Sequence, residues 1–279
     1  MSATWREMQA AYSRGAGGWA AGPAAIYRVM AEPLVHHCPM PLAGARVLDF
    51  GAGTGATTAA IVDAGARVVA ADLSPDMLRL ARRERPPAAG ADALRLPFRS
   101  GTFDAAMGAF VLSHIPDPVT ALAEVARCVR GNGAVMTIGF CGSWEHRVKT
   151  VVEEVMTQFG FERPAWYETF KRDVEVRTAF PDRLEEVATA AGLDPVAVAA
   201  VTVDTAVREP DDLIAWRLGY PSTVPFMAGL DPARRDELLA ALRDAVGPDP
   251  DPLVPELLIM TGRVRAAKRP GQPTSRKPS

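Results

Sequence analysis

The stretch ARVLDFGAGTGATTAAIV, residues 45–62, decides how the rest of the chain is read. An apolar run from Val47 to Phe50 passes directly into Gly51, Gly53 and Gly55, and an alanine-rich segment follows without a break. That pattern predicts a buried strand, a tight loop and a helix. Glycine in such a loop tolerates positive φ and lets a ligand press against bare backbone. The following helix aims its first amide groups at the same point, which favours an anionic group there. A turn that holds nothing is the bland alternative, and three glycines at alternate positions argue against it.

Working outward, the strand-then-helix pattern repeats. RVVAAD (67–72) reads as a second strand, and SPDMLRLARRE (74–84) as a helix with Ser74 as its N-cap and Pro75 at its first position. ALRLP (93–97) is a short strand candidate, and FDAAMGAF (103–110) is a clear strand. DPVTALAEVARCV (117–129) is helical, and AVMTIGF (134–140) closes the series as a strand. Strands that are apolar throughout and alternate with helices predict an α/β fold with a parallel sheet covered on both faces.

The flanking segments are less regular. Residues 1–42 read as an N-terminal helical lid segment, WREMQAAYSR and AAIYRVMAEPLVHHC, split by the flexible GAGG at 15–18. The core is expected over 43–143 and 181–265, with 144–180 and 211–247 inserted as helical caps over the sheet edge. Within 181–265, DPVAVAAVTVDTAV (194–207) and LVPELLIMTGRVRA (253–266) are the further strands. The polar, basic residues 266–279 are expected to be a disordered tail.

Composition narrows the class. Hydrophobic residues make up 48% and charged residues 23%, with a net charge of −2, so nothing attracts nucleic acid or an anionic membrane in general. Cys38, Cys128 and Cys141 have no metal-ligand spacing, and no metal is expected. No basic-then-apolar leader opens the chain, and no apolar run approaches the roughly 20 residues that span a bilayer. A cytoplasmic protein, monomeric or homodimeric and acting on a small molecule, is the expectation.

Read alone, the glycine loop accepts two cofactors. Gly51, Gly53 and Ala56 satisfy the dinucleotide pattern G-x-G-x-x-G/A, whereas Asp49 with Gly51, Gly53 and Gly55 spells D-x-G-x-G-x-G. Asp72, ending the second strand, suits ribose hydroxyls in either class.

The motifs that follow separate the two. VLDFGAGTG, ADLSPDML, GADALRLPFRSGTFDAAMGAFVLSHIPDP and ALAEVARCVRGNGAV, in this order, resemble class I S-adenosylmethionine-dependent methyltransferases. The branch resembled is the ubiquinone/menaquinone-methyltransferase-like one, over about residues 44–140 and more weakly to about 265. The resemblance implies a Rossmann-like, doubly wound, mostly parallel seven-stranded sheet with a helical cap. It implies S-adenosyl-L-methionine as cofactor and S-adenosyl-L-homocysteine as product. By the same resemblance Asp49, Gly51, Gly53 and Gly55 lie against the methionyl part, and Asp72 holds the ribose with Leu73 and Met77 along the adenine. Asp92 accepts from the adenine amino group with Ala93 beside it, and Ala109 and Phe110 face the methionine end. Two departures stand out: LSHIPD carries Ser113 before His114, and Arg130-Gly131-Asn132-Gly133 replaces a K-P-G-G turn.

If the acceptor is a hydroxyl, a base helps. His114, just past a strand at the ligand edge, is the first candidate, and His146, at the start of the inserted helices, the second. Tyr12 and Trp19 flank the glycines of the N-terminal segment, from which an aromatic can meet a sulfonium. Trp144, Trp166, Tyr167, Phe170 and Tyr220, with Ser113, are the expected acceptor pocket, and Phe159, Phe161, Trp216 and Phe226 belong to the same aromatic-rich blocks. The reading is methyl transfer to oxygen, nitrogen or carbon of a sizeable, partly apolar metabolite in secondary metabolism. A cofactor-assisted reaction without methyl transfer, such as cyclisation, and a non-catalytic binding protein are the alternatives; a dehydrogenase is the remotest.

Overall fold

The computed structural model describes residues 3–80 and 86–266. Two helices come first, α1 (Ala3–Ala21) and α2 (Pro23–His36). The core follows as β1 (Arg46–Phe50), α3 (Ala56–Asp63), β2 (Arg67–Asp72), α4 (Pro75–Leu80) and β3 (Ala88–Gly90). It continues through β4 (Phe103–Ala109), α5 (Pro118–Cys128) and β5 (Val129–Phe140). Beyond β5 come α6 (Arg147–Gln158), α7 (Ala165–Thr169), α8 (Pro181–Ala190) and β6 (Leu193–Thr202). The chain then forms α9 (Pro210–Leu218), α10 (Val224–Gly229), α11 (Pro232–Val246) and β7 (Glu256–Val264).

The seven strands lie in the order β3-β2-β1-β4-β5-β7-β6. Strands β1 to β5 run parallel, and β7 is antiparallel to both β5 and β6. The order reverses between β1 and β4, and a crevice opens beyond the carboxyl ends of strands at such a point. The doubly wound, mostly parallel sheet expected from the alternation is the one observed.

Successive strand residues face opposite sides, and both sides are apolar. Val47, Met107, Met136 and Ile259 pack with Met30 and Leu34 of α2, Ile61 of α3 and Val152 of α6. Leu48, Phe50, Val135 and Met260 pack on the other side with Leu122 and Val125 of α5 and Leu184 of α8. This double burial explains why β1 reads as apolar from Val47 to Phe50 apart from Asp49, which is buried as well. Emptying one such position, Leu48→Ala, costs about 2–5 kcal/mol.

Two local expectations change. The glycines at 15–18 do not split the N-terminal helices: α1 runs through them and breaks only at Gly22 before Pro23. Gly15 and Gly18 are small for packing, since a Cβ on Gly15 would lie 3.1 Å from Pro221 Cα and one on Gly18 2.6 Å from Val224 Cγ2. ALRLP is not a strand; the β3 edge strand lies upstream, paired with Ala70–Asp72. Asp92 turns the chain there, its backbone carbonyl accepting from Arg95 N–H at 2.9 Å. The remainder of the helix expected to Glu84, and the tail beyond Ala266, lie outside the described residues. Among the described residues no helix is long and apolar enough to cross a membrane.

Candidate active site

A cleft of about 950 Å³ occupies the crevice, reached by the loops after β1, β2, β4 and β5. That is the upper end of the range for small-molecule sites, roughly 300–1,000 Å³. Gly51 and Gly53, Asp72, Leu73 and Met77, Ala93, and Ala109 and Phe110 form one side of it.

The glycine loop is held by its neighbours. Gly51 has φ +69°, and a Cβ there would lie 2.1 Å from Val111 Cγ2, so no larger residue fits. The Asp72 carboxylate accepts from the N–H of Gly53 and of Ser74, both at 2.8 Å, and so ties the loop after β1 to the loop after β2. Ser74 in turn caps α4 by accepting from Met77 N–H at 3.3 Å. Phe110 sits in the left-handed region at φ 55°, its N–H donating to Ile138 O at 2.7 Å. A bulky residue in that region is uncommon and is kept there by its surroundings.

Three residues expected beside the ligand sit behind the wall. Asp49 is fully buried and accepts a hydrogen bond from the Thr58 hydroxyl of α3, supporting the loop from below. Gly55, left-handed at φ 95°, is the N-cap of α3 and does not line the cleft. Asp92 does not line it either; its Oδ1 accepts from Leu94 N–H at 2.9 Å, while Ala91 and Ala93 on either side do line it.

Helix α1 closes the cleft from above. Gln9 donates to Leu73 O at 3.0 Å, and the hydroxyls of Ser13 and Ser74 lie 2.8 Å apart. One turn along, the Tyr12 hydroxyl is 2.8 Å from His114 Nε2. The other ring nitrogen of His114 is 3.3 Å from the Ser113 hydroxyl, and the ring stacks on Phe170 at 4.8 Å. Burial lowers the His114 pKa to about 4 and raises that of Tyr12 well above the usual phenol value. Both side chains are therefore uncharged at neutral pH. Trp19 lies 6.1 Å from Tyr12 and 4.6 Å from Tyr27, ring centre to ring centre.

The opposite side is aromatic. Trp144, Trp166, Tyr167, Phe170, Trp216 and Tyr220 all line the cleft. Phe159 and Phe161, from the same aromatic-rich segment, do not: Phe161 packs on Phe226 at 5.3 Å, and Phe159 lies under Arg234. The Tyr27 and Tyr220 hydroxyls are 2.7 Å apart, and burial raises the Tyr220 pKa to about 12.

His146 does not line the cleft. It is the N-cap of α6, with Nδ1 accepting from Val148 N–H at 3.2 Å and Nε2 facing the carbonyls of Asp251 and Pro252 at 3.2 and 3.3 Å. Both ring nitrogens are committed to backbone, and burial lowers its pKa further. Capping, not proton transfer, accounts for a histidine at this helix start.

Several lining residues escape sequence reasoning. Trp5, Met8 and Gln9 of α1, Tyr27 of α2, and the charged Lys149 and Arg217 of α6 and α9 reach the cleft. In the sequence the last two look like ordinary solvated charges on amphipathic helices.

Comparison with known proteins gives two kinds of match. Residues 48–137 match the family model described as a methyltransferase domain. Demethylmenaquinone methyltransferase of Clavibacter sepedonicus is 36% identical over 145 residues, which is 50% of this chain and 58% of that protein. The chain spans about half the length of the curated relatives it matches. Among solved structures, the [4+2]-cyclase SpnF superposes with a TM-score of 0.53 at 17% identity, covering 86% of this chain and 81% of its own. Haemonchus contortus phosphoethanolamine N-methyltransferase 2, in complex with phosphomonomethylethanolamine and S-adenosylhomocysteine, gives 0.51 at 18%, covering 85% and 52%. At these identities the structural matches speak to the fold.

Proposed function

We propose that this chain, whose residues 48–137 match a methyltransferase domain, is a class I methyltransferase of the ubiquinone/menaquinone-methyltransferase-like branch and carries out S-adenosylmethionine-dependent methylation of a small, partly apolar metabolite. The acceptor atom is oxygen, nitrogen or carbon, and secondary metabolism is the setting. One observation carries the reading: a continuous cleft joins a backbone cradle strapped by Asp72 to an aromatic wall built on the helices after β5. Its volume supports two ligands side by side.

The cradle suits the cofactor. At Gly51 and Gly53 only bare backbone separates the loop from the cleft, and Asp72 stands at the carboxyl end of β2, where ribose hydroxyls are bound in such folds. When bound, the cofactor supplies a methyl group activated on a sulfonium. The protein aligns the acceptor with it, and alignment alone contributes several kcal/mol. Trp144, Trp166, Tyr167 and Phe170 sandwich an apolar acceptor, and helix α1 keeps water out.

Tyr12 and His114 handle the proton. An acceptor hydroxyl becomes strongly acidic as its new bond to carbon forms. His114, uncharged and weakly basic, takes that proton, directly or through the Tyr12 hydroxyl 2.8 Å away. A neutral imidazole also avoids repelling a cationic cofactor.

Calorimetry with S-adenosylmethionine and its homocysteine product tests the binding claim, with micromolar affinity expected; an absence of binding ends the proposal. Formation of S-adenosylhomocysteine with a candidate aromatic acceptor tests the chemistry. A non-methylating reaction is the second reading, favoured by the low basicity of His114 and by the fold shared with a [4+2]-cyclase. Product formation without S-adenosylhomocysteine decides for it.

A further inference from the structure

The aromatic wall carries two cations that face the cleft and form no salt bridge among the described residues, although Glu145 and Glu175 line the same cleft near Lys149. Arg217, on α9, lies over the rings of Trp216 and Tyr220, its guanidinium carbon 5.3 and 4.8 Å from their centres. Its guanidinium makes no hydrogen bond or ion pair among the described residues, and its Nε is buried without an acceptor. Lys149, on α6, places Nζ 4.0 Å above the Trp144 ring and spends one donor on Trp144 O at 3.1 Å. An ammonium has three donors, so two remain. The other cations of the wall are satisfied: Lys171 pairs with Glu175, and Arg163 pairs with Glu153 and Glu168.

The Trp144 and Trp216 rings beneath the two cations lie 6.4 Å apart, centre to centre, so both cations share one stretch of the wall. Burial lowers the Lys149 pKa to about 8, with Glu145 and Glu175 opposing the shift and Lys171 and Arg217 adding to it. Two like charges held close in a partly desolvated cleft, with the donors of a planar fork left open, form a receptor for an oxyanion. Both cations rest on aromatic rings, so the oxyanion belongs to a molecule whose flat body lies along the same wall.

Building on the methyltransferase reading, we propose that the acceptor is an aromatic oxyanion, carboxylate or phosphate, whose charged group is held between Arg217 and Lys149. Tyr220, under Arg217, is hydrogen-bonded to Tyr27, whose ring lies 4.6 Å from Phe110, so the grip on the charge sets how the acceptor lies along the wall. Arg217 and Lys149 are then specificity residues.

The test is binding to the chain of residues 1–279 in the presence of S-adenosylhomocysteine. The probes are 2-naphthoate, 2-naphthyl phosphate and the neutral 2-naphthamide, read by quenching of tryptophan fluorescence and by calorimetry. At least one oxyanion should bind tenfold or more tightly than the amide, and the tighter of the two identifies the group. In Arg217→Gln and Lys149→Met that preference should shrink about tenfold, with Arg217→Lys retaining part of it and S-adenosylhomocysteine affinity unchanged. Equal binding of acid and amide by the unmodified protein overturns the proposal and needs no variant to show it. A fall in S-adenosylhomocysteine affinity in Arg217→Gln, with oxyanion preference intact, also overturns it, because Arg217 would then hold the cofactor's own carboxylate. If S-adenosylhomocysteine fails to bind at all while the oxyanion preference persists, the methyltransferase reading fails and the oxyanion site stands.

Discussion

The hydroxyl of Tyr12, on the first helix, lies 2.8 Å from Nε2 of His114, 102 residues later and just past the fourth strand. Positioned proton transfer of this kind contributes roughly 10²–10⁴-fold. Tyr12→Phe is therefore expected to lower turnover about tenfold to a hundredfold, and His114→Ala by more, with cofactor affinity within about threefold. Rates of S-adenosylhomocysteine release measure the first and calorimetry the second. Unchanged turnover in both variants removes the pair from the chemistry.

Burial lowers the His114 pKa from its ordinary 6.5 to about 4. Between those values the unfolded chain binds a proton that the folded chain does not, so folding is favoured as pH rises. The contribution is complete above about pH 6.5 and is lost as pH falls through about 4. It amounts to something on the order of 2 kcal/mol, reduced because the ring borders a water-accessible cleft. Thermal melts from pH 7 to 4 should fall more steeply for the unmodified chain than for His114→Gln.

Burial also lowers the Lys149 pKa, to about 8, and here the consequence is for binding. Its ammonium is depleted as pH rises through about 8, with burial the main cause, Glu145 and Glu175 retaining the proton and Lys171 and Arg217 expelling it. Naphthoate affinity should decline severalfold from pH 7 to 9, and Lys149→Met should abolish that decline. A flat profile in the unmodified chain separates Lys149 from the charge that is bound.

Asp72 accepts two backbone hydrogen bonds and faces the cleft. Hydrogen bonds to a charged group contribute about 1.5–3 kcal/mol each. Asp72→Ala should weaken S-adenosylmethionine binding by at least about thirtyfold and also lower the melting temperature, since both loops lose their strap. Calorimetry beside a thermal melt reads both; full cofactor affinity in the variant would dismiss Asp72 as a ligand.

His146→Ala should leave turnover unchanged and destabilise the fold by about 1 kcal/mol, the usual cost of a lost cap. Gly51→Ala should be worse, by roughly 3 kcal/mol, combining left-handed backbone strain with collision against Val111. Val111→Ala in the same chain should restore part of that loss, and denaturant titration of the three proteins checks it.

The parallel core was legible because its strands are buried on both faces and its turns are written in glycine, serine and proline. Gly51, Gly53 and Asp72 could be placed from that grammar alone. Gly15 and Gly18 misled, since composition cannot distinguish a glycine that bends from one that admits Pro221 and Val224. His146 misled for a related reason: a histidine capping a helix has the same sequence context as one guarding a pocket. Lys149 and Arg217 were invisible, because whether a helix charge meets water or a cleft depends on packing among α6, α9 and the strand ends.

Helix α1 grips both ends of the cleft at once. Gln9 and Ser13 hold the loop after β2, while Tyr12 reaches His114 and Gly15 and Gly18 bear on Pro221 and Val224 beside Tyr220. It cannot lift from one end without loosening its hold on the other. Cofactor and acceptor that both bear on this one helix should strengthen each other's binding by the same factor. One helix thus serves as a common strap for two neighbouring sites, and what is bound in one is felt in the other.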